Sequence, residues 1–108
     1  MSGFDDREKG FEAKYRLDEE TKFRVRARRN KLLGLWLAEQ FGLKGDAADA
    51  YAKEVVAADL EKPGDDDVIE KVMTDVRTRG AKIDAKAVAK QLAALEETAR
   101  AQVVAEKK

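Results

Sequence analysis

The sequence has no cysteine and no histidine among its 108 residues. Without cysteine the chain can form neither a disulfide nor a thiolate metal site, and without histidine it lacks the side chain that most often serves in acid–base catalysis. Its only serine, Ser2, and its threonines therefore have no imidazole to activate them. We expect that the protein is not an enzyme and that it needs no metal or cofactor.

Long apolar runs are absent as well. The longest uncharged apolar stretch, residues 32–38, is far shorter than a membrane span, and no apolar signal segment follows Met1. The formal net charge is zero, which gives the chain as a whole no general attraction to nucleic acid or to anionic lipid. These features predict a soluble, cytoplasmic protein without direct membrane insertion.

The first third of the chain has no proline and very little glycine. Between residues 5 and 41 the only glycines are Gly10 and Gly34. A helix over this whole run would be about 55 Å long, whereas a compact domain of this size has a diameter of roughly 35 Å. We therefore expect residues 1–18 to form a mobile N-terminal arm, attached to a four-helix globular domain over residues 19–108.

Hydrophobic spacing and helix-ending residues predict an all-α fold, a small four-helix bundle. In the first helix an apolar stripe at helical spacing includes Leu33 and Trp36 and ends just before Gly42. The second helix is expected to follow Asp46 as its N-cap and to end before Pro63. Because aromatic residues make up only 6% of the chain, leucine, valine and alanine must build most of the core.

The third and fourth helices are expected to begin at acidic residues. Asp67 and Glu70 have the spacing of a capping box for the third helix. Asp84 is expected to cap the fourth helix, whose apolar seam starts at Val88 and advances in steps of three and four residues. The carboxylates at residues 65–67 lack the spacing of a calcium loop and are explained by a helix N-terminus, so we predict no metal site there.

Four blocks of sequence resemble one known family. They read FDDREKGFEAKY at residues 4–15, ARRNKLLGLW at residues 27–36, DAYAKEVV at residues 49–56 and GDDDV at residues 64–68. In this order and at this spacing, the blocks resemble the zeta-type inhibitor subunit of alphaproteobacterial F-type ATP synthases. The resemblance covers essentially the whole chain, although the last helix matches by length and pattern more than by sequence.

The resemblance implies a specific mode of action. Members of this family insert their N-terminal segment at the interface of a catalytic β subunit, its neighbouring α subunit and the rotating γ stalk, where it blocks rotation in the direction of ATP hydrolysis. It also implies a monomer that is peripheral to the inner membrane through the synthase. For the arm of this chain, it implies aromatic anchors and polar contacts at Phe4, Asp5, Asp6, Arg7, Glu8, Lys9, Phe11, Glu12 and Tyr15.

The densest basic patch lies just after the arm, within residues 22–31. Its members are Arg24, Arg26, Arg28, Arg29 and Lys31. They could bind an acidic surface of the synthase as a secondary contact, or they could pair with the acidic middle of the chain itself. Two other interpretations stay open. One is a small helical nucleic-acid-associated protein that uses this patch, although aromatic residues are not interleaved with the arginines as stacking platforms. The other is an adaptor whose arm docks on a different complex.

Overall fold

The structure, a computed structural model, describes residues 19–61 and 64–106. These residues form four helices, α1 (Glu19–Gln40), α2 (Asp46–Glu61), α3 (Asp65–Arg79) and α4 (Ala85–Glu106), and the predicted all-α bundle is confirmed. The predicted arm, residues 1–18, lies outside the described residues. None of the four helices is long and apolar enough to cross a membrane.

One core joins all four helices, and α1 is its central member. α1 makes its most extensive contacts with α2 and α4, whereas α3 packs on α2 and more lightly on α4. The fully buried side chains include Leu33 from α1, Val55 from α2, Val72 from α3 and Val88 from α4. Trp36 packs partly buried against this cluster. The apolar faces predicted from helical spacing are therefore the faces that pack together.

Two helix boundaries are formed by the residues expected to form them. Gly42 has a φ of 78° just after α1, and the Leu43 N–H donates to the Ala38 carbonyl oxygen at 2.8 Å. This positive φ suits glycine, which has no Cβ to clash there. At the start of α4, the Ala87 N–H donates to Asp84 Oδ1 at 2.7 Å, which confirms Asp84 as the cap.

Two other boundaries differ from the prediction. Asp46 is already the first residue of α2 and does not precede it. The capping box predicted for α3 is wrong, because Gly64 occupies the N-cap position and no side chain caps the helix. The Gly64 N–H instead contributes a hydrogen bond to Asp59 Oδ1 at 3.2 Å. A contact with α2 therefore helps to hold the start of α3, and Asp67 falls inside the first turn.

Gly34 lies where α1 and α2 come closest. A Cβ atom at this position would lie 2.6 Å from the Ala52 Cα atom and 3.2 Å from its Cβ atom. Real Cβ atoms do not approach backbone atoms so closely, so a larger residue would push the two helices apart. The glycine in the middle of α1 thus allows the close packing on which the α1–α2 contact depends.

Two aromatic rings and an arginine pack together where the end of α1 meets α2 and the end of α3. The Phe41 and Tyr51 rings make an edge-to-face contact with centroids 5.3 Å apart, and the Arg79 guanidinium lies over both rings. The Tyr51 hydroxyl donates to Asp75 Oδ2 at 2.8 Å. Burial and this hydrogen bond raise the pKa of Tyr51, so the tyrosine stays neutral across the physiological pH range.

Candidate functional site

The candidate site is the N-terminal half of α1, where residues 1–18 join the bundle. The nine arm residues expected to contact a partner, from Phe4 to Tyr15, lie outside the described residues. The five residues of the basic patch all lie on α1, between one and four turns from its first residue, Glu19. The contacts of this half of α1 therefore determine how firmly the start of α1, which directly follows the predicted arm, is held on the bundle.

Asp59 of α2 is the main anchor for this half of α1. Its carboxylate accepts hydrogen bonds from Arg26 Nε at 2.6 Å and from Arg26 Nη2 at 3.0 Å, which together form a bidentate ion pair. It also accepts a bond from Asn30 Nδ2 at 2.9 Å and the bond from Gly64 described above. Asp59 is only 5% exposed, and it thus joins α1, α2 and the α2–α3 turn at one buried point.

The charge of Asp59 is stabilised by its partners. Burial, the largest single influence, raises the pKa of the Asp59 carboxyl, but the hydrogen bonds from Arg26, Gly64 and Asn30 and the charge of Arg26 together outweigh it. The pKa of Asp59 is therefore held below its usual value. Folding therefore favours the carboxylate form of Asp59. Protonating this carboxylate removes the nearer ion-pair partner of Arg26.

This depressed pKa predicts acid sensitivity. A carboxyl whose pKa is lower in the folded state stabilises the fold above its unfolded-state pKa, about 4, and loses that contribution as pH falls through the folded-state pKa. We expect Asp59→Asn to lower the urea midpoint of unfolding clearly at pH 7 and much less near pH 3. Paired urea titrations of wild type and variant at several pH values measure this. A gap between the two proteins that stays constant down to pH 3 would contradict the prediction.

Arg29 is a fully buried cation beside this anchor, linked to it through Asn30. It is only 2% exposed, and its Nη1 atom pairs with Asp65 Oδ1 at 3.0 Å and Glu96 Oε1 at 3.4 Å. Its Nε atom donates to Asn30 Oδ1 at 3.2 Å. Arg29 thereby ties α1 to the start of α3 and to the middle of α4. Such a buried cation is stable only with these carboxylates in place.

The first turns of α1 are also held against the end of α4. Glu106 pairs with Arg28 Nη2 at 2.6 Å and with Arg24 Nη2 at 3.6 Å. Beneath these pairs, Val25 packs in a small buried cluster with Ala99 and Val103. Apolar packing and ion pairs together fix this end of α1 on the bundle.

The comparisons with known proteins identify the family. A family model described as "ATPase inhibitor subunit zeta" matches residues 1–102. The chain belongs to this family. A protein with a solution NMR structure is 44% identical to this zeta-family chain, and the match covers 79% of this chain and 96% of that one with a TM-score of 0.70. A comparison with curated proteins finds no match.

In this zeta-family chain, most of the basic patch is used internally. Four of its five members form ion pairs, with Asp59 and Asp65 from the acidic middle and with Glu96 and Glu106 of α4. The α4 partners were not foreseen from sequence. Lys31 is exposed and has no ion-pair partner within residues 19–61 and 64–106. Nucleic-acid binding would need free cations, so these pairs weaken that alternative.

Two exposed hydrophobic residues were not identified from the sequence as candidate contact residues. Phe23 is 54% exposed and Leu60 is 55% exposed, and both line a cavity of about 210 Å³ between α1 and α2. Phe23 follows the same helical row as Asn30 and Gly34, which face α2. Phe23 lies on this row beside Leu60, which is one residue before the end of α2. No further turn of α2 therefore covers the Phe23 side chain. Extending the row that contains Gly34 back to Phe23 was the signal available in the sequence.

The carboxylates within residues 19–61 and 64–106 make contacts with basic side chains or with solvent. In the part of the chain that the structure describes, no group of three or more acidic side chains is placed to hold a metal ion. Asp65, which the sequence places in an acidic run, contacts Arg26 and Arg29 instead.

Proposed function

We propose that this protein inhibits ATP hydrolysis by the F-type ATP synthase by inserting residues 1–18 between its α, β and γ subunits, so that rotation in the hydrolysis direction is blocked. The observation that carries the proposal is the zeta-family match over residues 1–102, which includes this segment as well as the bundle. The proposal includes a free chain that is monomeric and a position at the inner membrane that depends only on the synthase.

A rigid attachment supports a mechanical block. A wedge can resist a rotating stalk only if its base does not give way. The first turns of α1, which follow residues 1–18, are held on the bundle by ion pairs. Arg26 pairs with Asp59 of α2, Arg28 pairs with Glu106 of α4, and the buried Arg29 pairs with Asp65 of α3. Force on the segment would therefore be carried into three other helices.

The composition of the segment suits an insertion into a protein interface. Phe4, Phe11 and Tyr15 would each contribute roughly 1.5–3 kcal/mol if buried in a partner. Ordering each backbone position costs about 1–2 kcal/mol before hydrogen bonds are counted, and an isolated helix of this length is marginal in water. Burial of the aromatic side chains in the binding partner therefore supplies the free energy that offsets the cost of ordering the segment. The charged residues between the aromatic ones set its register and direction.

The test is ATP hydrolysis by the purified cognate synthase head, titrated with full-length protein and with a version that lacks residues 1–18. We expect the full chain to inhibit and the truncated chain to lose inhibition, because the bundle alone cannot enter the interface. A helical circular dichroism spectrum and an unchanged unfolding midpoint would show that the truncated bundle is folded. Equal inhibition by both versions would assign inhibition to the bundle, and no inhibition by either would refute the proposal.

A point-mutant version of this test locates the anchors. Phe4→Ala with Phe11→Ala should weaken inhibition more than tenfold, since aromatic anchors carry much of the energy of many interfaces. The matched control is Lys14→Ala, which removes a side chain of the same segment that is not among the expected contacts. Unchanged inhibition by the double variant would exclude these two residues as anchors.

A further inference from the structure

The two exposed large hydrophobic side chains of the described residues share one surface. Phe23 and Leu60 line one groove between α1 and α2 together with Ala27 and Val56. The groove also contains the paired polar side chains of Arg26, Asn30 and Asp59. Two adjoining depressions, which also contain Val56, continue the surface along α1 and α2. Exposed apolar side chains gathered in one groove are typical of a contact surface, whereas single exposed ones are common on any protein.

Two lysines border this groove. Lys31 of α1 and Lys53 of α2 are exposed, and neither makes an ion pair within the part of the chain that the structure describes. Asp49 lines the same depression but pairs with neither lysine. The nearby arginines differ, because Arg26 and Arg28 are already paired with Asp59 and Glu106. Two unpaired lysines against the one unpaired carboxylate of Asp49 leave an excess of positive charge around the groove, which suits a partner with carboxylates.

The groove lies at the end of the bundle where α1 begins. Phe23 lies one helical turn from Glu19, the first residue of α1, and Leu60 lies one residue before the end of α2. If residues 1–18 enter the synthase head, this end of the bundle is brought against the head's outer surface. The opposite end, with Phe41, Tyr51 and Arg79, points away from it.

We propose that the groove formed by Phe23, Ala27, Val56 and Leu60, with Lys31 and Lys53 at its border, is a second contact surface for the synthase head. Its occupant is a segment of the head's outer surface that presents apolar side chains together with carboxylates. This inference rests on the proposed function and extends it, since residues 1–18 would block rotation while the groove holds the base in place. Two linked contacts bind more tightly than either contact alone.

The experiment is the same hydrolysis titration with full-length variants. In the groove variant, Phe23→Ser with Leu60→Ser, we expect the concentration for half-maximal inhibition to rise about tenfold or more, because two apolar contacts are lost. Both side chains are more than half exposed, so the bundle should stay folded. Helical circular dichroism and the unfolding midpoint check this.

A charge-reversal pair gives an independent variant. Lys31→Glu with Lys53→Glu should weaken inhibition roughly threefold to tenfold, with the effect shrinking as salt is added. The matched control is Lys86→Glu with Lys90→Glu, which reverses two exposed lysines at the start of α4, away from the groove. This control should inhibit like wild type.

The outcomes separate the groove from the proposed function. If deleting residues 1–18 abolishes inhibition but both groove variants match wild type, the groove proposal is overturned and the proposed function stands. If the groove variants inhibit more strongly than wild type, the groove holds the chain's own N-terminal segment, and the proposal is again overturned. If wild type does not inhibit, the proposed function fails and the groove proposal falls with it.

Discussion

Replacing Asp59 with alanine is expected to lower the free energy of unfolding by about 2–4 kcal/mol. The carboxylate is the common acceptor for Arg26, Asn30 and the Gly64 N–H. The Asn30 side chain is 1% exposed, so it cannot replace the lost bond with water. Arg26 is partly exposed and can turn to solvent or to Asp65, which keeps the cost below that of a fully buried charge pair.

The loss is measured by urea or thermal unfolding at neutral pH. Asp66→Ala is the matched control, because the Asp66 side chain is exposed and makes no hydrogen bond or ion pair within the described residues. It should change the free energy of unfolding by less than about 1 kcal/mol, the value of a carboxylate near a helix N-terminus. A loss below about 1 kcal/mol in Asp59→Ala would show that α1 is held chiefly by its apolar contacts.

Gly34→Ala is expected to destabilise the protein by about 1–3 kcal/mol, although helix propensity alone predicts the opposite sign. An alanine in a free helix interior is more favourable than glycine by about 1 kcal/mol. At this position, however, the added Cβ would lie 2.6 Å from the Ala52 Cα atom. Backbone cannot rotate away as a flexible side chain can, so α1 and α2 must separate and the surrounding core loses contacts.

The sign of the Gly34→Ala effect tests the close helix packing directly. Chemical unfolding gives the free energy, and Ala93→Gly, at an exposed position of α4, serves as the control for helix propensity in the same bundle. That control should cost about 1 kcal/mol. If Gly34→Ala instead stabilises the protein, α1 and α2 do not approach as closely as the structure shows.

The candidate site was only partly predictable. The basic patch on α1 is visible in the sequence, but its partners Asp59, Glu96 and Glu106 are distant along the chain, and their contacts depend on how the helices pack. One of the two uses foreseen for the patch, pairing with the acidic middle of the chain, occurs at Arg26 and Arg29, whereas Arg24 and Arg28 pair with Glu106 of α4 instead. The remaining cation, Lys31, borders the groove proposed above.

The limits of the helices show the same division. Gly42 and Asp84 end and begin their helices as predicted, because the backbone preferences that act there involve only neighbouring residues. α3 begins within residues 64–67 as expected, but the capping box predicted there is wrong, because Gly64 is the N-cap residue and its N–H donates to Asp59. The capping pattern was placed too late in the sequence, since α3 starts at Asp65 and Asp67 falls inside its first turn.

The sequence by itself determined the all-α class, the four helices, their apolar faces and the family, because helical periodicity and short motifs are properties of neighbouring residues. Only the tertiary structure decided which charges are paired, why Gly34 is needed and where Phe23 and Leu60 form a groove. These features arise where residues far apart in the chain meet. The packing of one helix on another creates them, and no local pattern specifies it.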